Sequence, residues 1–483
     1  MELTTELIQL AGIILGILAA VGGAAHALLT KRDPRAAAAW VTLCLLFPIF
    51  GLLAYLALGN NRISTRARRL KDNNHTQVPA WLEEAVEKQA LGGVREPYRN
   101  IDRLSAAVSG WSLLPGNIVE PLRNGDEAYP QMLAAIESAT SRVWLASYIF
   151  EPGGIGKQFI AALHGAAERG VDVRVLIDGI GELYSLTAVS RRLRRAGVKV
   201  ERFLPPKLLP PNLSINLRNH RKLLVCDDNC AFTGGMNIRN KCVTADGESE
   251  PAVLDLHFRL SGPIVTQIEE VFAADWAFCT RESLPRTEMT IESAQTPQEV
   301  PESACRVVVD GPDRKIERLI WLLLGSIAAA RSSICIMTPY FVPSRALTIA
   351  LQIAQLRGVH VTIILPQHNN LRFMSWVAWH TIRPLVETGV EIYYSQGPFD
   401  HSKLFIVDGY YTQIGSANLD PRSQRLNFEI IVEVYGEQFA AQMLTHFASV
   451  KKDSRLITAT DIKSRGIIRR LRDATVWLFS PYL

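Results

Sequence analysis

Two long apolar runs open the chain, and a series of short apolar stretches separated by amphipathic ones fills the remainder. Residues 7–29 and 36–58 each run 23 positions without a formal charge, more than the roughly 20 a helix needs to span a bilayer. Only Thr30–Arg35 separates them, so the pattern predicts a two-helix transmembrane hairpin within residues 1–60. A cleaved signal peptide fits less well, because Glu2 and Glu6 are acidic where a leader is basic, and a second span follows at once. Gly12 and Gly16 offer either a dimerising face, and with it a homo-oligomer, or close packing of the two hairpin helices.

Residues 61–116 read as a basic connector that holds an amphipathic helix over Trp81–Leu91 and ends in the turn-rich Leu114–Asn117. After it the chain repeats itself. Ser141–Phe150 resembles Ser332–Phe341, Arg169–Leu176 resembles Arg357–Ile364, and Ala196–Val200 resembles Thr388–Ile392, with partners about 190 positions apart each time. In each copy a helix ending at Arg-Gly leads into a β-branched strand, the α/β alternation of a buried, parallel or mixed sheet. Two tandem α/β domains are therefore expected, at 117–296 and 297–450. The acidic, Pro-containing stretch Glu282–Glu302 links them, and an amphipathic interfacial tail follows at 451–483.

Composition adds little to this picture. Fifty-two basic residues against 47 acidic ones give a net charge of +5, too mild to argue for nucleic acid. The seven cysteines are scattered, with no Cys-x-x-Cys pair, so neither a disulfide framework nor a metal site is called for, and no cofactor either. Around the spans, Arg62, Arg66, Arg68, Arg69 and Lys71 outnumber Lys31, Arg32 and Arg35 of the connecting loop. That bias favours cytoplasmic catalytic domains on a multi-pass membrane protein.

The chemistry lies in a duplicated motif. His220-x-Lys222 leads through an apolar stretch to Asp227, and His401-x-Lys403 leads likewise to Asp408. In both copies six residues intervene before Gly-x-x-Asn, ending at Asn237 and Asn418. One such motif is weak; two in register within a repeat are not coincidence. Residues two apart on a strand share a face, so His and Lys project into one cavity. The aspartates, counted with the motif, fall on the opposite parity and suit a turn or a backbone anchor. Lysine supplies fixed charge to the oxygens of a phosphodiester and asparagine a neutral donor, while histidine serves as nucleophile or acid. A working imidazole needs a carboxylate on its other nitrogen, and Asp255 and Glu429, downstream of His220 and His401 respectively, are the candidates.

These paired motifs resemble the phospholipase D superfamily. The hairpin, the run Leu204–Pro211 into Asn216–Lys222, and the terminal Ser480–Leu483 resemble bacterial cardiolipin synthases. One departure is visible: many relatives have Trp-Arg-Asp where this chain has Val253-Leu254-Asp255, so a guanidinium is missing from the first half-site. The resemblance implies two phospholipase D-type mixed-sheet domains in a pseudo-twofold sandwich, anchored in the bacterial inner membrane. It implies a phosphatidyltransferase that condenses two phosphatidylglycerols to cardiolipin and glycerol through a phosphohistidine, with His220 as nucleophile and His401 as acid and base. Hydrolytic phospholipase D is the alternative, and a nuclease fits the hairpin and tail less well. Beside the site, the Pro-rich Phe203–Leu213 reads as a lipid-dipping or buried loop. The tail sets Ile467, Ile468, Leu471, Val476 and Leu478 against Arg469, Arg470 and Arg472. Trp40, Tyr55 and Trp477 suit headgroup-level anchors, and Trp376, Trp379 and Arg383 suit core packing or a lipid channel.

Overall fold

The computed structural model describes residues 2–31, 34–59, 94–185, 187–206, 217–244, 252–285, 303–311 and 318–480. Trp81–Leu91, most of the Pro-rich run and of the acidic linker, and the last three residues lie outside these. The chain divides into two compact units, Met1–Asn73 and Asn74–Leu483.

In the first unit the helix Glu2–Thr30 contains a stretch, Leu10–Thr30, long and apolar enough to cross a membrane. The second apolar run differs from the expected single span. It forms the helices Pro34–Leu46 and Pro48–Ala54, then a π-helical turn over Tyr55–Gly59. Pro48 is the reason. A proline disfavours helical backbone in the residue before it, and Phe47 sits at φ −131°, ψ 74°, outside the helical region. Tyr55 ties the run back to the first helix, its hydroxyl 2.7 Å from His26 Nδ1 and 3.1 Å from Thr30 Oγ1. Close packing depends on Gly23, where a Cβ would lie 3.0 Å from Cys44 Sγ, and on Gly51, where it would lie 2.3 Å from the Leu43 carbonyl oxygen. Gly16 meets only Pro48, at 3.9 Å, and Gly12 faces open space.

The second unit is built on one 16-stranded sheet with a separate two-stranded ladder beside it. Its first half runs β1 Leu114–Arg123, β2 Arg142–Ser147, β3 Asp172–Asp178, β4 Lys199–Phe203, β5 Arg218–Asn219, β6 Leu223–Cys226, β7 Cys230–Gly234, β8 Val253–Leu254 and β9 Leu256–Ser261. Its second half runs β10 Ser303–Asp310, β11 Ser333–Met337, β12 His360–Pro366, β13 Glu391–Ser395, β14 Phe399–Asp400, β15 Leu404–Val407, β16 Tyr411–Gly415, β17 Asn427–Tyr435 and β18 Ser454–Ile457. From β1 outward the order is β9-β7-β6-β2-β3-β4, and from β10 it is β17-β16-β15-β11-β12-β13-β18. Apart from β18, which extends the second half by one strand, the halves thus mirror each other. They join edge to edge through the antiparallel β1–β10 pair, so the two repeats share a single continuous sheet. The turn-rich Leu114–Asn117 belongs to this seam: β1 carries a register shift there, and Asn117 Nδ2 donates to the carbonyls of Leu114 at 2.5 Å and Ser303 at 3.3 Å.

Helices cover the sheet because their apolar stripes demand it. Ile155–Glu168 buries Phe159, Ala162, Leu163 and Ala166, a spacing that lines one helical face. Arg345–Leu356 does the same with Leu347, Leu351 and Ala354. The Arg-Gly steps of the repeat close these helices: Gly170 at φ 85° and Gly358 at φ 90° take the left-handed conformation that ends a helix cheaply only in glycine. Arg169 and Arg357 each turn a guanidinium onto the last carbonyls of the preceding helix, those of Ile136 and Ala139 and of Ile327 and Ala330. Trp379 stacks on Tyr394 with centroids 5.3 Å apart and packs into the fold, whereas Arg383 makes a half-exposed pair with Glu387 at 2.8 Å on its own helix.

Candidate active site

Each motif histidine stands where its chain segment leaves its own half and pairs with the other. β5 forms a two-residue parallel ladder with the start of β17, and His220 N then donates to the Phe428 carbonyl at 2.9 Å. β14 forms the matching ladder with β8, and His401 N donates to the Leu254 carbonyl at 2.7 Å. The residue after each accepting carbonyl is the carboxylate. His220 Nδ1 therefore meets Glu429 Oε2 at 3.0 Å, and His401 Nδ1 meets Asp255 Oδ2 at 2.8 Å. By sequence position each acid pairs with the histidine of its own copy, Asp255 with His220 and Glu429 with His401. The structure crosses them over, because the short ladders bring opposite halves together.

The carboxylates are sealed and the histidines are not. Glu429 and Asp255 side chains are 0% and 1% exposed, His220 and His401 11% and 12%. The Nε2 atom of each histidine has no hydrogen-bond partner among the described residues and is the edge left to a substrate. Lys222 Nζ donates to the His220 carbonyl at 2.6 Å. Lys403 donates likewise to the His401 carbonyl, and its Nζ lies 2.8 Å from His401 Nδ1. Lys403 acts electrostatically on His220, and Lys222 on His401, so the two half-sites share one field.

That field shifts every group in it. Burial, against the pull of Glu429, pushes His220 below the usual imidazole range, and burial with the nearby Lys403 brings His401 down to about 4. Burial lowers Lys222 to about 7 and Lys403 to about 8, their carboxylate neighbours resisting. Burial works against the charge on Glu429 and Asp255 too, yet the histidine and lysine beside each hold it below the normal carboxylate range. Both imidazoles are thus neutral near pH 7, with anionic partners and partly ionised lysines.

Asp227 and Asp408 lie apart from the histidines. Each sits at φ 52° in the turn after its strand and accepts a fan of backbone N–H groups. Asp227 takes those of Thr140, Ser141 and Arg142 at 2.8 to 3.3 Å, and Asp408 those of Arg331, Ser332 and Ser333 at 2.7 to 2.9 Å. Burial opposes the charge on Asp227, but these donors hold it down at about 2. Both aspartates tie the motif hairpin to the start of β2 or β11, and their motif membership marks an anchor.

The asparagines part company. Asn237 Oδ1 accepts from Ile149 N at 3.1 Å and fastens the loop after β2, whereas Asn418 is buried with its Oδ1 unpaired. Several residues at the site carried no signal in the motif itself. Ser416 Oγ donates to Glu429 Oε2 at 2.5 Å and Asn427 Nδ2 to Oε1 at 3.1 Å. Gly235 holds the place of Ser416 in the first half, and a Cβ there would lie 2.2 Å from Asp255 Oδ1. Tyr148 sets its ring 5.2 Å from His220, and Tyr340 and Phe399 set theirs 6.1 and 5.7 Å from His401. Behind His220, Asp178 receives Arg218 at 3.2 Å and Asn219 N at 2.9 Å. Leu254, in the place where many relatives carry arginine, accepts the His401 backbone N–H with its carbonyl. Arg221 does not replace that guanidinium, for it is locked by Asp275, by the Glu429 carbonyl at 3.0 Å and over the Phe428 ring.

Known proteins fit this geometry. A family model described as cardiolipin synthase, PLD-like domain, matches residues 132–276 and 323–451, and a phospholipase D-nuclease N-terminal model matches 18–60. Cardiolipin synthase A of Pseudomonas aeruginosa (strain LESB58) is 32% identical over 97% of this chain and 94% of its own length. The major cardiolipin synthase of Bacillus subtilis (strain 168) is 30% identical over 94% and 95%. Among solved structures, a phosphatidylserine synthase of Haemophilus influenzae Rd KW20 shares the fold, with a TM-score of 0.62 at 15% identity over 79% of this chain and all of that one. The fold and the two coupled half-sites define an enzyme of the phospholipase D-like class. Within that class the chain belongs to the cardiolipin synthase family. Its apolar N-terminal helix and these relatives make it a membrane-associated transferase of phospholipid biosynthesis.

Proposed function

We propose that the enzyme moves a phosphatidyl group from one phosphatidylglycerol to the glycerol hydroxyl of a second, releasing glycerol and forming cardiolipin. One imidazole Nε2 attacks phosphorus, while the other, which takes up a proton once the anionic phosphodiester lies beside it, gives that proton to the departing glycerol oxygen. The acceptor lipid then loses its hydroxyl proton to the second histidine and attacks the phosphohistidine, which restores both groups. By family resemblance His220 is the nucleophile and His401 the acid and base. Lys222 and Lys403, with Asn418, offer charge and hydrogen bonds to the non-bridging oxygens as negative charge grows on them. Glu429 and Asp255 hold the Nδ1 protons, which leaves Nε2 of each ring free to react.

The observation that supports this most is the crossed pair of His–carboxylate contacts, which makes neither half competent without the other. The membrane setting supports a lipid as substrate. We read both apolar segments of residues 1–60 as embedded, with the break at Pro48 inside the second, and the catalytic unit as cytoplasmic. The mirrored strand orders of the two halves support a pseudo-twofold arrangement of the domains. Self-association through the hairpin would use the open face at Gly12, and Gly12→Leu tests it by crosslinking in membranes. Purified enzyme in phosphatidylglycerol vesicles tests the reaction: cardiolipin and free glycerol in equal amounts are expected. Phosphatidic acid as the main product would make the enzyme a hydrolase instead.

A further inference from the structure

The last helix of the chain faces the wrong way for a water-exposed surface. An amphipathic helix on a globular body turns its apolar stripe inward. In Ile467–Leu478 the buried residue is Asp473, 2% exposed. Ile467, Ile468, Leu471, Leu478 and the adjoining Phe479 stand 64%, 80%, 60%, 66% and 59% exposed. At 3.6 residues per turn these five fall within a single arc of roughly 120°, with Asp473 opposite.

The inverted placement is held firmly. Asp473 accepts from Arg472 Nη2 at 2.7 Å and Arg465 Nη2 at 2.5 Å. The same two guanidinium groups stack over rings of the helix Arg372–Thr381, Arg465 at 4.2 Å from the Trp379 centroid and Arg472 at 4.4 Å from that of Trp376. Trp477 meets His380 with centroids 4.8 Å apart. Val476 packs against the cluster of Val342, Met374 and Val377, which also contacts Tyr340, the ring beside His401. The polar side of the helix is therefore its docking side, and the apolar ridge stands out from the layer that walls the His401 half-site. On the His220 side, Leu183 and Tyr184 are likewise exposed, at 66% and 63%, with Tyr184 against Tyr148.

We propose that this ridge rests in an anionic bilayer and seats the mouth of the active site on it. Arg469 and Arg470 flank the ridge and suit anionic headgroups, which fits such a surface better than a second copy of this cationic segment. The inference rests on the reading of the substrate as a membrane lipid. It gives the helix a task in catalysis: a diacyl lipid reaches the histidines along the membrane plane without its chains crossing water.

The test uses the full chain in vesicles of phosphatidylglycerol and phosphatidylcholine, with a nitroxide on Cys introduced at Ile468 and with Cys279 and Cys335 replaced by Ser. Power saturation should show the label reached by oxygen and shielded from a water-soluble nickel chelate. A second arm compares Ile467→Glu/Ile468→Glu/Leu471→Glu with wild type. Because these side chains are exposed, the fold should survive, and we expect transfer on vesicles to fall about tenfold while transfer on monomeric short-chain phosphatidylglycerol stays within twofold. A label open to the nickel chelate on vesicles, or spin–spin broadening from a paired copy, overturns the proposal. So does equal loss on both substrates. If wild type makes no cardiolipin at all, the proposed reaction fails, while the label still reports where the helix lies.

Discussion

Glu429→Gln removes one charge and almost no volume from the centre of the site. The carboxylate is sealed from solvent, and it holds His220 Nδ1 at 3.0 Å, Ser416 Oγ at 2.5 Å and Asn427 Nδ2 at 3.1 Å. All three partners donate to it, so the amide nitrogen of Gln must face a donor wherever it turns. Two losses follow. The imidazole no longer has an anion to hold its tautomer and to stabilise positive charge on the ring; in the Ser-His-Asp arrangement the same change costs roughly 10⁴ in kcat. Lys222 also loses the neighbour that most supports its proton. Its pKa, already about 7, falls further, so the lysine is largely neutral at pH 7 and binds the phosphate poorly. We expect kcat to drop roughly 10³- to 10⁴-fold, about 4–5 kcal/mol of transition-state stabilisation. The assay is cardiolipin formation in phosphatidylglycerol mixed micelles, with circular dichroism to confirm folding. A folded Glu429→Gln enzyme within threefold of wild type would refute the role given to the crossed pairs.

Four further expectations follow from the same geometry. Gly235→Ser should displace Asp255 from His401 and cost more than tenfold in kcat, whereas Ser416→Gly, which removes one donor from Glu429, should cost only a fewfold; a reversed order would discredit the steric argument. Asp227→Asn should lower stability by about 1–3 kcal/mol in urea titrations, since a charged acceptor of three backbone N–H groups is weakened, yet keep near-normal kcat per folded molecule. Because the Asp227 pKa is depressed from 3.8 to about 2, its contribution is present above about pH 4 and vanishes as pH falls toward 2; acid unfolding should therefore start earlier in wild type relative to its neutral stability than in the variant. The two lysines predict the alkaline side of the activity profile: with pKa values near 7 and 8 they lose their protons early, so kcat/KM should decline as pH rises through that window. A flat profile to pH 10 would count against their charge-donating role.

How much of this could be read along the chain depends on how local each feature is. The Arg-Gly-Val steps were visible because a left-handed glycine and a capping arginine need only a few neighbouring residues, and they placed the paired strands of both halves. His220 and Lys222, two apart, declared a shared face, and the parity of Asp227 pointed it elsewhere. The crossing of Glu429 to His220 was invisible, since it depends on β5 and β17, two residues of ladder joining segments from opposite halves. The β1–β10 seam was missed for a related reason: Pro115 and Gly116 read as a turn, while Asn117 pins them into a bulged strand. The second apolar run reads as one span because it carries no charge over residues 36–58, and that pattern does not report the backbone break that Pro48 imposes on Phe47. Ser416 and Gly235 occupy one position of a shared motif, and only their distances to the two carboxylates reveal why the residues differ.

The central claim, that two half-sites form one site working through a histidine-bound intermediate, is tested most directly by trapping that intermediate. Enzyme mixed with phosphatidylglycerol labelled in its phosphate and quenched within milliseconds should carry an acid-labile, base-stable label on the peptide containing His220. The label should pass into cardiolipin when unlabelled phosphatidylglycerol is added, and should be absent from His220→Ala. Cardiolipin formed at full rate with no label on either His220 or His401 would contradict the account.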